Sequence, residues 1–257
     1  MSHPTDLTAL DYSLIELQDE VRSHFGWKLS ADVESAESLL RVVEESSVES
    51  WTRHRRAATI ADLRRRLVLR EVNVAVLGAA VEVSEVISIL DKPTLLVGAD
   101  GAVGVLQDLP ETIADRAWSR LVCVVSDGDG GSGTLAAVKR GVPFILHSHG
   151  DNEKSWRSLL KSAENTANPS PLVLTHQTPN QIAGMHNPGG FTDGDRAVCF
   201  LIALGLDAER IKMLGTRSDI VGKWSGATDP ERKLVKLQWM DRIIRTLGVD
   251  YCVTKNR

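Results

Sequence analysis

A chain of 257 residues is long enough to bury a large α/β core, so it needs neither disulfides nor a structural metal to fold. A hydrophobic fraction of 42% is ordinary for a globular protein, and a formal charge of −4 argues against nucleic acid as the main partner. No apolar stretch approaches the roughly 18–20 residues of a membrane span, and Met1 to Leu10 lacks the charged-then-apolar order of a signal peptide. The expectation is a cytoplasmic protein.

The first third reads as helix. Ser30 is a predicted N-cap with Asp32 and Glu34 in the first turn, and Val33, Ala36, Leu40 and Val43 recur on one face. A second helical stretch runs from about Ser50 to Leu69, with Arg53, Arg55, Arg56 and Arg64–Arg66 read as a solvated face. Nothing from Met1 to Arg70 points to chemistry apart from aromatics such as Trp27. This helical region, 1–70, could serve as an interface between copies of the chain. From Val72 the texture changes to short continuous apolar runs: Val72–Leu77, Thr94–Val97, Leu121–Val125, Pro143–Leu146 and Leu172–Leu174. Continuous runs suit strands covered on both faces, and helical segments such as Val83–Leu90 and Thr134–Arg140 lie between them. The prediction for 71–257 is an α/β domain with a doubly wound, mostly parallel sheet. An amphipathic helix on Leu234, Leu237, Met240, Ile244 and Leu247 ends at Gly248, and Val249–Val253 could add a last strand. The three cysteines, Cys123, Cys199 and Cys252, lie in apolar runs without a CxxC pair and read as buried small hydrophobes.

The chemistry gathers where the runs stop. Gly98-Ala-Asp-Gly101, Ser126-Asp-Gly-Asp-Gly-Gly131, His147-Ser-His-Gly-Asp-Asn152 and Thr175-His-Gln177 each follow a predicted strand. The carboxyl ends of parallel strands face one crevice, so these segments should meet there. Asp127 and Asp129, hard oxygen donors one glycine apart, can turn toward one Mg²⁺, with Asp100 and Asp151 as further ligands directly or through water. The glycines would let backbone N–H groups approach a phosphate. His147 and His149 should point the same way, and hydrogen bonding to phosphate or carboxylate is favoured. A zinc site would need a further ligand such as His176 or His186, at no fixed spacing. Gly189-Gly-Phe-Thr-Asp-Gly-Asp-Arg196 leads into an apolar helix, Ala197 to Leu204. Thr192 or Asp193 could cap that helix, while Arg196 favours an anion at its N-terminus.

Taken together, Gly98-Ala-Asp-Gly101, Asp127-Gly-Asp129, His149-Gly-Asp-Asn152 and Gly190-Phe-Thr-Asp-Gly-Asp-Arg-Ala197 resemble the archaeal 6-hydroxymethyl-7,8-dihydropterin diphosphokinases, over roughly Val72 to Leu247. More remotely the chain is similar to the catalytic domain of thiamine pyrophosphokinases. Val221-Gly-Lys-Trp-Ser225 resembles the family's Gly-Lys-aromatic-Ser segment. The resemblance implies a Rossmann-like fold and transfer of diphosphate from ATP to a reduced pterin, releasing AMP, on a path to folate or methanopterin cofactors. It implies Mg²⁺ on Asp127 and Asp129 with Asp100, support from Asp151 and His149, and phosphate contacts from Lys154, Arg196 and Lys223. The pterin edge would fall to Asn152 and Asp195, and its ring to Phe191 or Trp224. Three segments depart from the family. Gly78-Ala-Ala-Val-Glu-Val83 replaces a Gly-Ala-Gly-Pro-Ser-type loop, Gly128 replaces a leucine, and Gly215 to Ile220 differs. Two other readings of the motifs are a metal-dependent glycosyltransferase using a nucleotide sugar and a non-catalytic nucleotide-binding module.

Overall fold

The computed structural model describes Leu7 and residues 11–251. The readings of Cys252 and, Leu7 apart, of the first ten residues fall outside them. In chain order the elements are α1 (Ser13–Phe25), α2 (Leu29–Glu44), α3 (Arg53–Leu67), β1 (Asn73–Leu77), α4 (Val83–Leu90), β2 (Thr94–Ala99), α5 (Glu111–Arg120), β3 (Leu121–Ser126), α6 (Gly131–Lys139), β4 (Phe144–His147), α7 (Glu153–Glu164), β5 (Leu172–Thr175), α8 (Asp193–Leu204), β6 (Ile211–Leu214) and α9 (Pro230–Thr246). Among the described residues the strands form one sheet in the order β5-β4-β3-β2-β1-β6, and every pairing is parallel. The expected doubly wound α/β fold is therefore present, with the helices before the sheet.

Burial on both faces explains the unbroken apolar runs. Along β1, Ala75 and Leu77 enter one core with α2, α4, α5, α6 and α7, while Val74 and Val76 enter the other with α3, α8 and α9. Between β2 and β3 the register slips by one residue: Leu96 pairs with Leu121 but Val97 with Cys123. Val122 is the extra residue of a β-bulge, and Val122 and Cys123 consequently both face the second core. The chain leaves β1 toward β2 and returns only at β6 on the other side of β1. The carboxyl ends of β1 and β6 thus diverge at a topological switch point, where a crevice opens.

Several details differ from the sequence reading. α2 starts at Leu29 with Lys28 at its N-cap and no side-chain cap bond, so Ser30 lies inside the helix. Arg56 is not on a solvated face. It is buried, donating to Trp51 O at 2.7 Å and to Glu44 at 3.1 Å. β6 had not been expected, and residues 249–251 form no strand. Cys123 and Cys199 are buried free thiols, and burial pushes that of Cys123 up to about 12, which keeps it protonated and inert. No described helix is long and apolar enough to cross a membrane.

One buried histidine makes an acid-sensitive contribution to the stability of the fold. His176 is held down to about 4, first by burial and then by the nearby charge of His186. Its unfolded counterpart protonates near 6.5. Below that pH the unfolded chain takes up a proton that the folded chain refuses, so the contribution of this group falls by roughly 3 kcal/mol by about pH 4. The raised carboxyls of Asp100, Asp129 and Asp193 act in the opposite direction over the same range. The test is therefore a difference: urea midpoints of His176→Asn should gain on those of the wild type as pH falls from 7 to 4. A variant that tracks the wild type across that range would remove His176 from the balance.

Candidate active site

The strand ends build one cleft. Its walls include Gly78–Ala80 after β1, Asp100 after β2, Asp127 and Asp129 after β3, His149 after β4, Gln177 after β5 and Gly215–Arg217 after β6. Phe191–Gly194 and Arg196 close one side, and Lys233, Lys236 and Met240 of α9 another. With its open mouth the cleft encloses about 1160 Å³.

At its floor Asp100, Asp127 and Asp129 each offer a carboxylate oxygen within 4.8 Å of the others. Asp100 sits at φ 48, a left-handed backbone uncommon for a side-chain-bearing residue. It accepts a hydrogen bond from Ser126 Oγ at 2.5 Å. Asp127 Oδ2 meets His149 Nε2 at 3.2 Å, while its Oδ1 is buried without a hydrogen-bond partner. His149 Nδ1 reaches Asp151 at 2.8 Å. Between the two aspartates, Gly128 has φ 98, and a Cβ there would lie 2.7 Å from Trp156 N. Glycine is thus the one residue that fits against α7 at this position.

The electrostatics follow from crowding negative charge in a partly buried cluster, of which Asp129 is the exposed member. Burial, then the charges of Asp193, Asp127 and Asp129, push Asp100 well above the usual carboxylate range. Burial and the Asp127 charge raise Asp129 and hold Asp193 up to about 7. Burial would raise Asp127 as well, but the hydrogen bond and charge of His149 outweigh it and hold that carboxyl below its usual value. His149 is correspondingly lifted to about 9: burial opposes the shift, and Asp127 and Asp151 overcome it. An orphaned carboxylate oxygen beside two carboxyls that resist ionising together is a donor set that a hard divalent cation would satisfy. The all-oxygen set fits Mg²⁺ better than zinc. Among the described residues the histidines do not assemble a nitrogen site, and His147 is engaged with Thr175 at 3.1 Å and Gln177 at 3.4 Å.

Other sequence-predicted residues lie elsewhere. Asp195 is fully buried and accepts from Phe191 N at 2.6 Å, Thr192 N at 2.8 Å and Thr192 Oγ1, forming a capping box for α8 rather than a heterocycle-reading edge. Asn152 is similarly committed. It accepts from His149 N at 2.9 Å and donates to Asp127 O at 2.9 Å and His147 O at 2.8 Å, clamping two strand-end loops. Lys154 is exposed on the first turn of α7, outside the cleft lining. Lys223 is also outside it, paired with Asp108 at 2.7 Å and lying 4.4 Å from the Trp224 ring. Asp151 is exposed and reaches the carboxylate cluster only through His149. Phe191 and Arg196 do line the cleft. Arg196 is buried against Asp193 at 3.2 Å and Phe191 O at 2.7 Å.

Lys233 and Lys236, not singled out in the sequence, line the cleft together with Asp193 and Trp27. The two lysines lie three apart on the cleft-facing side of α9 and make no ion pair within 4 Å among the described residues. Their i,i+3 spacing beside Leu237 and Met240 was the available signal. Trp27 stacks on Phe25 at 4.7 Å and lies 6.0 Å from Phe191, with Lys236 5.4 Å from its ring.

Fold and site together define a doubly wound α/β protein with a cation-ready acidic crevice at its strand ends. The chain is 33% identical over 168 residues to a 6-hydroxymethyl-7,8-dihydropterin pyrophosphokinase of Methanothermobacter thermautotrophicus, covering 60% of this chain and 63% of the relative. It is 34% identical over 130 residues to a protein of the same name from Pyrococcus furiosus, covering 48% and 52%. The resemblance drawn from the motifs is thereby borne out, over less than two thirds of either relative's length. No family model matches the chain.

Proposed function

We propose that this protein is an ATP- and Mg²⁺-dependent diphosphokinase that acts on 6-hydroxymethyl-7,8-dihydropterin and releases AMP, in folate or methanopterin biosynthesis. The observation that carries the reading is the convergence of Asp100, Asp127 and Asp129 within 4.8 Å at the strand ends of a chain similar to two enzymes of that name. The hydroxymethyl oxygen attacks the β-phosphorus, the bridge to the α-phosphate breaks, and AMP leaves. In such transfers positioning and charge neutralisation supply most of the rate. A divalent cation held by Asp100, Asp127 and Asp129 would draw charge from the triphosphate oxygens. Lys233, Lys236 and Arg196 face the remaining phosphate charge, in place of Lys154 and Lys223. Asp193, held up to about 7, is suited to take the hydroxymethyl proton. Trp27 and Phe191 offer the aromatic surface for a flat heterocycle.

Incubation with ATP, Mg²⁺ and the hydroxymethyl-dihydropterin should yield AMP and the pterin diphosphate in equal amounts. Release of ADP alone, or no turnover of any pterin, sinks the assignment. Turnover of a nucleotide sugar instead would favour the glycosyltransferase reading.

A further inference from the structure

The N-terminal helices carry a buried polar hub that reaches the strand-end loops. Asp32, on the first turn of α2, has a side chain only 5% exposed. Its Oδ1 accepts from Gly150 N at 2.9 Å, and its Oδ2 accepts from Gln177 Nε2 at 2.9 Å and Arg22 NH1 at 3.1 Å. Arg22 NH1 also donates to Gln177 O at 2.7 Å, tying α1 to the loop after β5. The fit at Gly150 is close: a Cβ there would lie 2.9 Å from Ala31 Cβ. Gly150 directly follows His149, whose ring holds Asp127 Oδ2. One carboxylate from outside the sheet therefore fixes two loops that line the cleft. A side chain needed only for helix stability would not place both oxygens on donors from other elements.

We propose that Asp32 is a positioning residue for the cation site. It anchors Gly150, so that His149 is held where it orients Asp127 with Oδ1 free for the cation. The proposal rests on the cation-site reading above but not on the identity of the acceptor substrate. Partners one step removed from a metal's ligands commonly change its affinity by about 10- to 100-fold, and Asp32 acts through such a partner.

The test is Mn²⁺ binding by the full chain, followed through the electron paramagnetic resonance signal of free Mn²⁺, with thermal melts run in parallel. Asp32→Asn keeps the size and one acceptor but sets an amide donor against Gln177 and Arg22. Its Mn²⁺ dissociation constant should rise by about tenfold. The combined Asp32→Asn, Gln177→Glu variant restores the match to residue 177 with polarity reversed and returns the negative charge to the hub, although Arg22 still meets an amide donor. It should therefore recover part of that loss, and Gln177→Glu alone completes the cycle. Gly150→Ala attacks the same link from the loop side, should weaken Mn²⁺ similarly, and serves if Asp32→Asn does not fold. Wild-type affinity in folded Asp32→Asn or Gly150→Ala overturns the proposal. So does a double variant whose melting midpoint recovers while its Mn²⁺ affinity does not, because the hub would then be structural only. A wild-type chain that binds no Mn²⁺ overturns the cation-site reading itself and this proposal with it.

Discussion

Asp127→Asn is expected to lower diphosphate transfer on the order of 10³-fold, the scale of losing a preorganised electrostatic group in a buried site, while leaving the chain folded. The carboxylate has two tasks. Oδ2 takes the proton side of His149, and Oδ1 is buried with no protein partner. An amide of the same size removes the charge from both and turns an N–H₂ toward either His149 or the cation. The fold should tolerate the change, because the bond that ties this loop to its neighbour uses the backbone: Asn152 donates to Asp127 O. Two measurements check it. Steady-state turnover should collapse at saturating Mg²⁺, and the His149 ring, followed by NMR, should titrate well below the value near 9 that its two carboxylates maintain. Full activity in the variant would remove Asp127 from the site, and an unmoved histidine would deny the coupling between them.

Gly128→Leu, which restores the residue this position carries in the resembled family, should be destabilising here. The backbone at Gly128 has φ 98, and the added Cβ meets Trp156 N at 2.7 Å and Ser155 C at 2.8 Å, backbone atoms that cannot step aside. A left-handed side-chain-bearing residue costs roughly 1–2 kcal/mol, and forced overpacking adds a further 1–3 kcal/mol. For a domain of this size that predicts a melting midpoint lower by about 5–15 °C. Because the same turn spaces Asp127 from Asp129, activity at a temperature where the variant is folded should fall as well. A variant that melts with the wild type would mean that the turn relaxes freely, and the tight seat against α7 would lose its significance.

Much of this architecture can be read from the chain because the sheet is covered on both faces. Burial of every position in β3 leaves an apolar run with few competing explanations, and the polar residues that follow must lie at its carboxyl end. The acidic cluster was legible for the same reason: Asp100, Asp127 and the HGDN segment each come directly after a run. β6 was not legible, because an edge strand with Lys212 exposed and Met213 and Leu214 half-buried carries no continuous apolar signal. Contacts between distant parts of the chain were equally invisible. Asp32 looks like an ordinary acidic first-turn residue favoured by the helix dipole, and only folding shows its partners to be Gly150 and Gln177. Lys154 and Lys223 stand beside motifs in the sequence but outside the cleft lining, whereas Lys233 and Lys236 reach the cleft because α9 turns that side toward it. Asp195 shows the converse: in a conspicuous acidic motif, its oxygens accept from Phe191 N and Thr192 N at the local cap of α8, a role that the motif alone does not reveal.

The bulge at Val122 adds to β3 one residue that β2 does not answer. Beyond it Ala99 stands opposite Val125, which brings Asp100 level with Ser126 and within reach of Asp127. Because Val122 answers no residue of β2, deleting it would leave Cys123 opposite Val97 and every later pair in register, with the same side chains facing each layer. What would go is the extra bend and twist that a bulge puts into its strand. A residue lost between Cys123 and Asp127 would be different, because it would shift the end of β3 by about 3.3 Å and turn its side chains to the opposite layers. Alignment of this chain with its relatives can therefore tolerate a gap at Val122 but not one between Cys123 and Asp127.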